Sequence, residues 1–162
     1  MFSFRTTPID KQTDNLFVKG GRIGALCNQT AWHPEYGEYL FEFLSKRYNL
    51  IRLFTPCEGF SLLPDLTASA AAGSASLPKN YREEEELLLT LSGRELEAHR
   101  LSGAGEGCWE DYSAELQDLD GLVIELQETG SRYCTYTSLI YNLFRYLKEQ
   151  EMNLSIFLLD RV

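Results

Sequence analysis

Hydrophobic residues along the chain form short continuous runs that alternate with stretches of helical spacing. Apolar runs occupy residues 22–27, 50–54, 121–124 and 154–159. Such short, continuous runs are typical of strands that are buried on both faces. Between the third and fourth runs, apolar residues recur every three or four positions, which predicts a helix with one buried face. Its stripe consists of Tyr136, Leu139, Ile140, Leu143, Phe144 and Leu147.

The order of these patterns predicts an α/β fold. A second helical pattern, from Gly37 to Tyr48, lies between the first two apolar runs. Strands that alternate with helices are typical of βαβ units, which build a mainly parallel sheet. In such sheets, ligands bind at the carboxyl ends of the strands.

Polar or reactive side chains follow each of the four apolar runs. In chain order they are Asn28, Gln29, Cys57, Glu58, Gln127, Glu128, Arg132 and Asp160. If the strands are parallel, all of these residues come to the same edge of the sheet. The sequence therefore predicts one polar cluster at that edge, where a ligand would bind.

The middle of the chain carries weaker patterns. We expect residues 61–107 to form an irregular insertion, because a tract of small residues at 67–76 favours a loop. The acidic run from Glu83 to Glu86 is interpreted as the solvated start of a helix, with acids near the positive end of the helix dipole. Ser113 is expected to cap a short helix that runs through Leu116.

Length and charge limit the classes of protein to consider. A chain of 162 residues with 44% hydrophobic content can bury the core of one domain, so we expect a single domain over 1–162. The net charge of −9 disfavours nucleic acid and anionic membranes as partners. No run approaches the ~20 apolar residues of a membrane span, and the first residues lack the features of a secretory signal. A cytoplasmic location is therefore expected.

The cysteines and glycines indicate neither a metal nor a nucleotide cofactor. The cysteines at 27, 57, 108 and 134 include no C-x-x-C pair, so free thiols are expected, with disulfide pairing as the alternative if the protein is exported. Gly20, Gly21 and Gly24 precede or enter the first strand, whereas a dinucleotide fingerprint follows its strand.

Four segments in order carry a resemblance to a known family. They are 21–30 (GRIGALCNQT), 53–60 (LFTPCEGF), 125–136 (ELQETGSRYCTY) and 158–161 (LLDR). Together they resemble the N-terminal domain of the NamZ-like exo-β-N-acetylmuramidases, formerly catalogued as a bacterial domain of unknown function. The resemblance covers roughly residues 10–162. It implies a three-layer Rossmann-like domain and a glycosidase that releases N-acetylmuramic acid from the non-reducing end of peptidoglycan fragments.

The chain departs from the family pattern at positions that matter for catalysis. The second motif usually reads Pro-Glu-His-Gly, so Cys57 stands at the position of the proposed catalytic glutamate and Glu58 at that of the histidine. Glu125 and Glu128 stand where the family usually has aspartates. The motif residues Gln127, Gly130, Arg132, Thr135 and Tyr136 match. The family's proteins also continue into a C-terminal domain beyond the end of this chain.

These matches and departures lead to a first hypothesis, a truncated and diverged muramidase domain with weak or no hydrolysis by itself. Glycoside hydrolysis usually needs two carboxyl groups ~5 to 10 Å apart. We assign Glu58 as general acid or base and Glu128 as the second carboxylate. The substrate-binding residues are then expected to be Asn28, Gln127, Arg132, Tyr136 and Asp160. The structural alternatives are a capping or surface role for Glu58 and an ion pair with Glu128 or Asp160 for Arg132.

Two further hypotheses stay open. Loss of the motif glutamate favours a non-catalytic carbohydrate-binding or regulatory module. A cysteine enzyme built on Cys57 would need a nearby base. The chain offers only His33 and His99, and His33 is expected in a loop beside Trp32 and Pro34. The absent C-terminal domain also predicts an exposed apolar face that self-association or a partner chain would cover.

Overall fold

The computed structural model describes residues 20–56, 86–91, 94–101, 107–127 and 136–159. Within these ranges the main-sheet strands are β1 (Arg22–Cys27), β4 (Asn49–Thr55), β5 (Glu86–Leu91), β6 (Arg94–Arg100), β7 (Gly121–Glu125) and β8 (Ser155–Leu158). A separate hairpin consists of β2 (Trp32–His33) and β3 (Glu38–Tyr39). The helices are α1 (Leu40–Arg47), α2 (Ser113–Gln117), which follows a 3-10 turn at Glu110–Tyr112, and α3 (Tyr136–Glu149).

The main sheet has the order β5-β6-β4-β1-β7-β8 in the described part of the chain. Neighbours from β6 to β8 pair in parallel, and the edge strand β5 pairs with β6 in the antiparallel direction. If the five parallel strands are numbered 1 to 5 in chain order (β1, β4, β6, β7, β8), their order across the sheet is 3-2-1-4-5. This is the order of a Rossmann-like sheet. The predicted α/β fold with a mainly parallel sheet is confirmed, as is the common edge for the four predicted strands.

Helices cover both faces of the sheet, which makes three layers. Ile23, Ala25 and Cys27 of β1 pack with the buried residues of α1, whereas Leu26 packs with those of α3. This division follows from the alternation of side chains along a strand. The predicted α3 stripe lies on the second face, where Leu139, Leu143 and Leu147 are buried. Among the described residues, no helix is long and apolar enough to cross a membrane.

The middle of the chain contains more regular structure than expected. Two strands, β5 and β6, fall within 61–107, so the expectation of an irregular insertion is wrong for residues 86–91 and 94–100. The expected helix start is likewise wrong at Glu86, which begins β5; Glu83 to Glu85 lie outside the described residues. Strand pairing overrides the local helical preference here, because the three leucines after Glu86 belong to an antiparallel ladder with β6.

Gly24 allows two layers to approach closely. A Cβ atom at this position would lie 2.5 Å from Leu119 Cδ1 and 3.1 Å from Leu122 Cδ1. Any side chain would therefore displace buried leucines on the α3 face of the sheet. Gly24 lies inside β1, so its role is packing.

Ion pairs hold the β2–β3 hairpin against α1. The Glu38 carboxylate accepts hydrogen bonds from Lys46 Nζ and from Arg47 Nη1, the latter at 3.1 Å. The hydrogen bond from Lys46 lowers the pKa of Glu38 below its ordinary 4.5, against a smaller opposing effect of burial. Glu42 strengthens the same junction, because its Oε2 accepts a hydrogen bond from the Tyr39 N–H at 2.8 Å.

We expect Glu38→Gln to destabilise the protein by about 1 to 3 kcal/mol at pH 7, because two charge-assisted hydrogen bonds are lost. A lowered folded-state pKa contributes stability that is fully present above the unfolded value of 4.5 and is lost as pH falls through the folded value. The difference between wild type and variant should therefore shrink from pH 7 towards pH 3 in urea unfolding. Glu35→Gln, exposed in the same hairpin, is the matched control. A pH-independent difference would contradict this account.

Candidate functional site

The gap between β1 and β7 at the carboxyl edge of the sheet is the topological switch point. From β1 the chain proceeds to β4 on one side, and it later returns to β7 on the other side of β1. Connections that diverge in this way leave a crevice between two strand ends, and α/β proteins bind ligands there. The last paired residues at this point are Cys27 and Glu125.

Asn28 joins the ends of the two strands. Its Nδ2 donates a hydrogen bond to the Gln127 carbonyl at 3.2 Å, and its Oδ1 accepts one from Thr30 Oγ1 at 2.7 Å. The side chain is buried, with 1% of the residue exposed. Two residues that the sequence placed at one edge therefore lie in contact, and the Asn28 amide links the strand ends.

The most unusual feature at this edge is a buried carboxylate. Glu125 ends β7 and has an exposed fraction of 0%. His33, from the β2–β3 hairpin, places its Nε2 2.7 Å from Glu125 Oε2. A buried carboxylate needs such a partner, because an unpaired charge away from water is strongly destabilising. The hairpin thus closes over the end of β7.

Polar groups continue from Glu125 across the neighbouring strands. The register pairs Cys27 with Glu125, and Leu26 with Phe54, so Cys27 and Thr55 follow on β1 and β4. These positions share the α1 face of the sheet, because Val123, Ala25 and Leu53, two residues earlier in each strand, belong to that core. The three residues are each at most 1% exposed. They form a buried polar row at the carboxyl edge.

Two members of this row are chemically distinctive. Burial raises the pKa of the Cys27 thiol well above its ordinary 9.0, and the charge of Glu125 raises that pKa further. Thr55 Oγ1 is buried without a hydrogen-bond partner among the described residues. An unsatisfied buried hydroxyl carries a desolvation penalty of about 1 to 3 kcal/mol. Such groups are uncommon in folded proteins and call for an explanation.

The other predicted site residues have the following positions. Tyr136 is the first residue of α3 and is buried, with 8% exposed. Gln127 is partly exposed beside the switch point. The remaining predicted residues, Cys57, Glu58, Glu128, Arg132 and Asp160, lie outside the described residues.

The sequence interpretation missed His33 and Glu125 as a pair. His33 was expected in a loop, and this is wrong, because it pairs with Glu38 in the short β2–β3 ladder. The sequence did contain a signal for this pair. Glu125 ends the apolar run that forms β7, all of which is buried, and a buried acid requires a partner. His99, the other histidine, packs near Phe54 and Tyr112, whose side chains belong to the α3-side core.

No group of three or more His, Cys, Asp or Glu side chains converges as a metal site within the part of the chain that the structure describes. Cys27 and Cys108 are free, buried thiols.

Two solved structures share this fold. One DUF1343 family protein from Bacteroides fragilis NCTC 9343 is similar over 94% of this chain and 32% of its own, with a TM-score of 0.60 and 21% identity. A second DUF1343 family protein from the same organism is similar over 94% of this chain and 33% of its own, with a TM-score of 0.53 and 19% identity. The chain thus spans about a third of their length. No family model and no curated protein matches the chain.

We expect Asn28→Asp to destabilise the protein by about 1 to 3 kcal/mol. The substitution replaces the Nδ2 donor with a carboxylate oxygen, which cannot donate a hydrogen bond and which repels the Gln127 carbonyl oxygen. Urea unfolding at pH 7 measures the difference. Asn153→Asp makes the same chemical change at an exposed position and should alter stability by less than about 0.5 kcal/mol. Equal effects of the two substitutions would refute the role of Asn28 as the link between strand ends.

Cys27 should resist alkylation in the folded protein, because burial restricts access and the raised pKa leaves little thiolate. Native iodoacetamide labelling at pH 8, followed by peptide mass spectrometry, should modify Cys27 only after guanidinium unfolding. Labelling should stay slow in Glu125→Gln, since burial is the larger cause of the raised pKa. Rapid native labelling of Cys27 would contradict the buried row.

Proposed function

We propose that this chain binds a muramic-acid-containing saccharide at the switch point between β1 and β7, as the N-terminal domain of an exo-β-N-acetylmuramidase-like protein. Its hydrolytic activity alone is weak or absent. The four motif segments that resemble the NamZ-like family motivate this assignment, and the fold shared with two DUF1343 family proteins is compatible with it.

One observation carries the proposal. A buried carboxylate, Glu125, lies at the ligand-binding edge of the sheet, paired with His33 and next to the Asn28 link. Acids are normally placed on the surface, so a fully buried acid at the ligand-binding edge supports a functional role for the pair that it forms with His33.

The roles of the remaining residues follow the family resemblance. Glu58 is proposed as the general acid or base and Glu128 as the second carboxylate. Arg132 is the proposed partner of the lactyl carboxylate, because a guanidinium binds a carboxylate with two parallel hydrogen bonds. Gln127, Tyr136 and Asp160 would orient the sugar. Self-association, or a partner chain, stays a prediction.

The second candidate is a carbohydrate-binding module without turnover. Cys57 stands at the position of the usual catalytic glutamate, and a thiol does not replace a carboxylic acid in protonating a leaving oxygen. Unless Glu58 takes that place, the site binds sugar without cleaving it. The position of the acid relative to the scissile bond must be accurate, because a displacement of ~1 Å can reduce the rate of hydrolysis about 100-fold.

Incubation with N-acetylmuramyl-N-acetylglucosamine tests both candidates. The first predicts slow release of free N-acetylmuramic acid that Glu58→Gln abolishes, because an amide serves as neither a general acid nor a general base. The second predicts binding by calorimetry without products. Glu35→Gln serves as a matched control on the exposed part of the hairpin. The absence of both binding and release at millimolar disaccharide would refute the proposed function.

A further inference from the structure

Within the pair formed by Glu125 and His33, only one side chain can reach a ligand. The Glu125 side chain is 0% exposed, whereas that of His33 is 16% exposed. A group without access to solvent has no access to a ligand that enters from solvent. The imidazole is therefore the member of the pair that solvent, and a ligand that arrives from solvent, can reach.

The hydrogen bond also determines which ring nitrogen is available. In the neutral imidazole, Nε2 donates its proton to Glu125 Oε2, since a carboxylate only accepts. Nδ1 then carries a lone pair. The aromatic ring of Tyr36 lies at a centroid distance of 6.2 Å from the imidazole. A carboxylate that holds one nitrogen in this way directs the other nitrogen towards the reacting group.

We propose that His33 and Glu125 form a proton-transfer dyad in which His33 Nδ1 exchanges a proton with the bound sugar and Glu125 positions the imidazole. This inference rests on the proposed function and adds to it a catalytic residue outside the four family-like segments. It adds a proton donor from the β2–β3 hairpin, whereas the sequence position of the family's usual glutamate holds Cys57.

The surroundings of His33 suit this role. Its cross-strand neighbour Glu38 is bound by Lys46 and Arg47, so that its charge is compensated locally. The raised pKa of Cys27, beside Glu125 on β1, leaves this thiol neutral. The imidazole therefore pairs with the carboxylate of Glu125, whereas the carboxylate of Glu38 pairs with α1. The ion pairs of Glu38 also hold the hairpin on α1, which keeps the imidazole in place.

In the proposed reaction, His33 acts as the acid that cleaves the glycosidic bond. The imidazolium gives its Nδ1 proton to the glycosidic oxygen, and the bond from that oxygen to the anomeric carbon breaks with its electron pair remaining on the oxygen. The oxygen of a water molecule then bonds to the oxocarbenium carbon, and Glu58, as the proposed base, takes the proton that this water releases; exchange with solvent returns a proton from Glu58 to Nδ1. General acid and base catalysis of this kind typically contributes about 10² to 10⁴ in rate.

Kinetics on the full chain test the dyad with N-acetylmuramyl-N-acetylglucosamine as substrate. His33→Gln should lower kcat by at least about 100-fold with KM changed far less, and the alkaline limb of the pH–rate profile should disappear. Glu125→Gln should lower kcat by at least about 10-fold, because the amide no longer favours the correct tautomer. Glu35→Gln should leave both constants and the profile unchanged. Near-UV circular dichroism verifies that each variant is folded.

Nitrogen NMR provides an independent measurement that does not require turnover. The neutral His33 ring should show a protonated Nε2 and an unprotonated Nδ1 in wild type, and this preference should weaken in Glu125→Gln. A protonated Nδ1 in the neutral wild-type ring would overturn the dyad.

The outcomes separate this inference from the proposed function. Turnover by wild type that His33→Gln leaves intact, with the same pH profile, overturns the dyad while the muramidase assignment stands. Binding without turnover also overturns the dyad but leaves sugar binding in place. Absence of both binding and turnover in wild type refutes the proposed function itself. If a folded His33→Gln binds sugar normally and loses turnover, the dyad is supported.

Discussion

The burial of the Glu125 carboxylate is the constraint on which the arrangement of this edge depends. A charge removed from water requires a partner with good geometry, and His33 Nε2 provides one at 2.7 Å. This contact joins the β2–β3 hairpin to the end of β7. The hairpin in turn is fastened to α1 by Glu38, and α1 packs against β1 and β4. One buried acid thereby links the hairpin, a helix and the central strands.

The same edge shows how a Rossmann-like sheet brings polar groups together. Cys27, Glu125 and Thr55 are far apart in the chain, but adjacent strands in parallel register place them in one buried row. Asn28 then ties the two strand ends across the switch point. A fold of this type hosts many activities, so the chemistry must be argued from these side chains. Their arrangement favours proton transfer, since it holds an oriented imidazole against a buried carboxylate.

Sequence reasoning succeeded where local pattern and burial agree. The strands β1, β4, β7 and β8 and the helix α3 follow from apolar runs and from spacings of three and four, and the parallel order follows from their alternation. The contact between Asn28 and Gln127 was predictable for the same reason. The β5–β6 ladder was not, because its leucines follow an acidic run whose local preference is helical and their pairing depends on a strand further along the chain.

The sequence by itself determined the fold class, the common edge of the strands and the presence of polar groups there, because these depend on periodicity and on chain order. Only the tertiary structure decided that His33 meets Glu125, since 92 positions separate them and no spacing rule connects a hairpin to the end of a distant strand. The identity of the buried acid was likewise a tertiary outcome. The sheet encloses the carboxylate of Glu125, which ends β7.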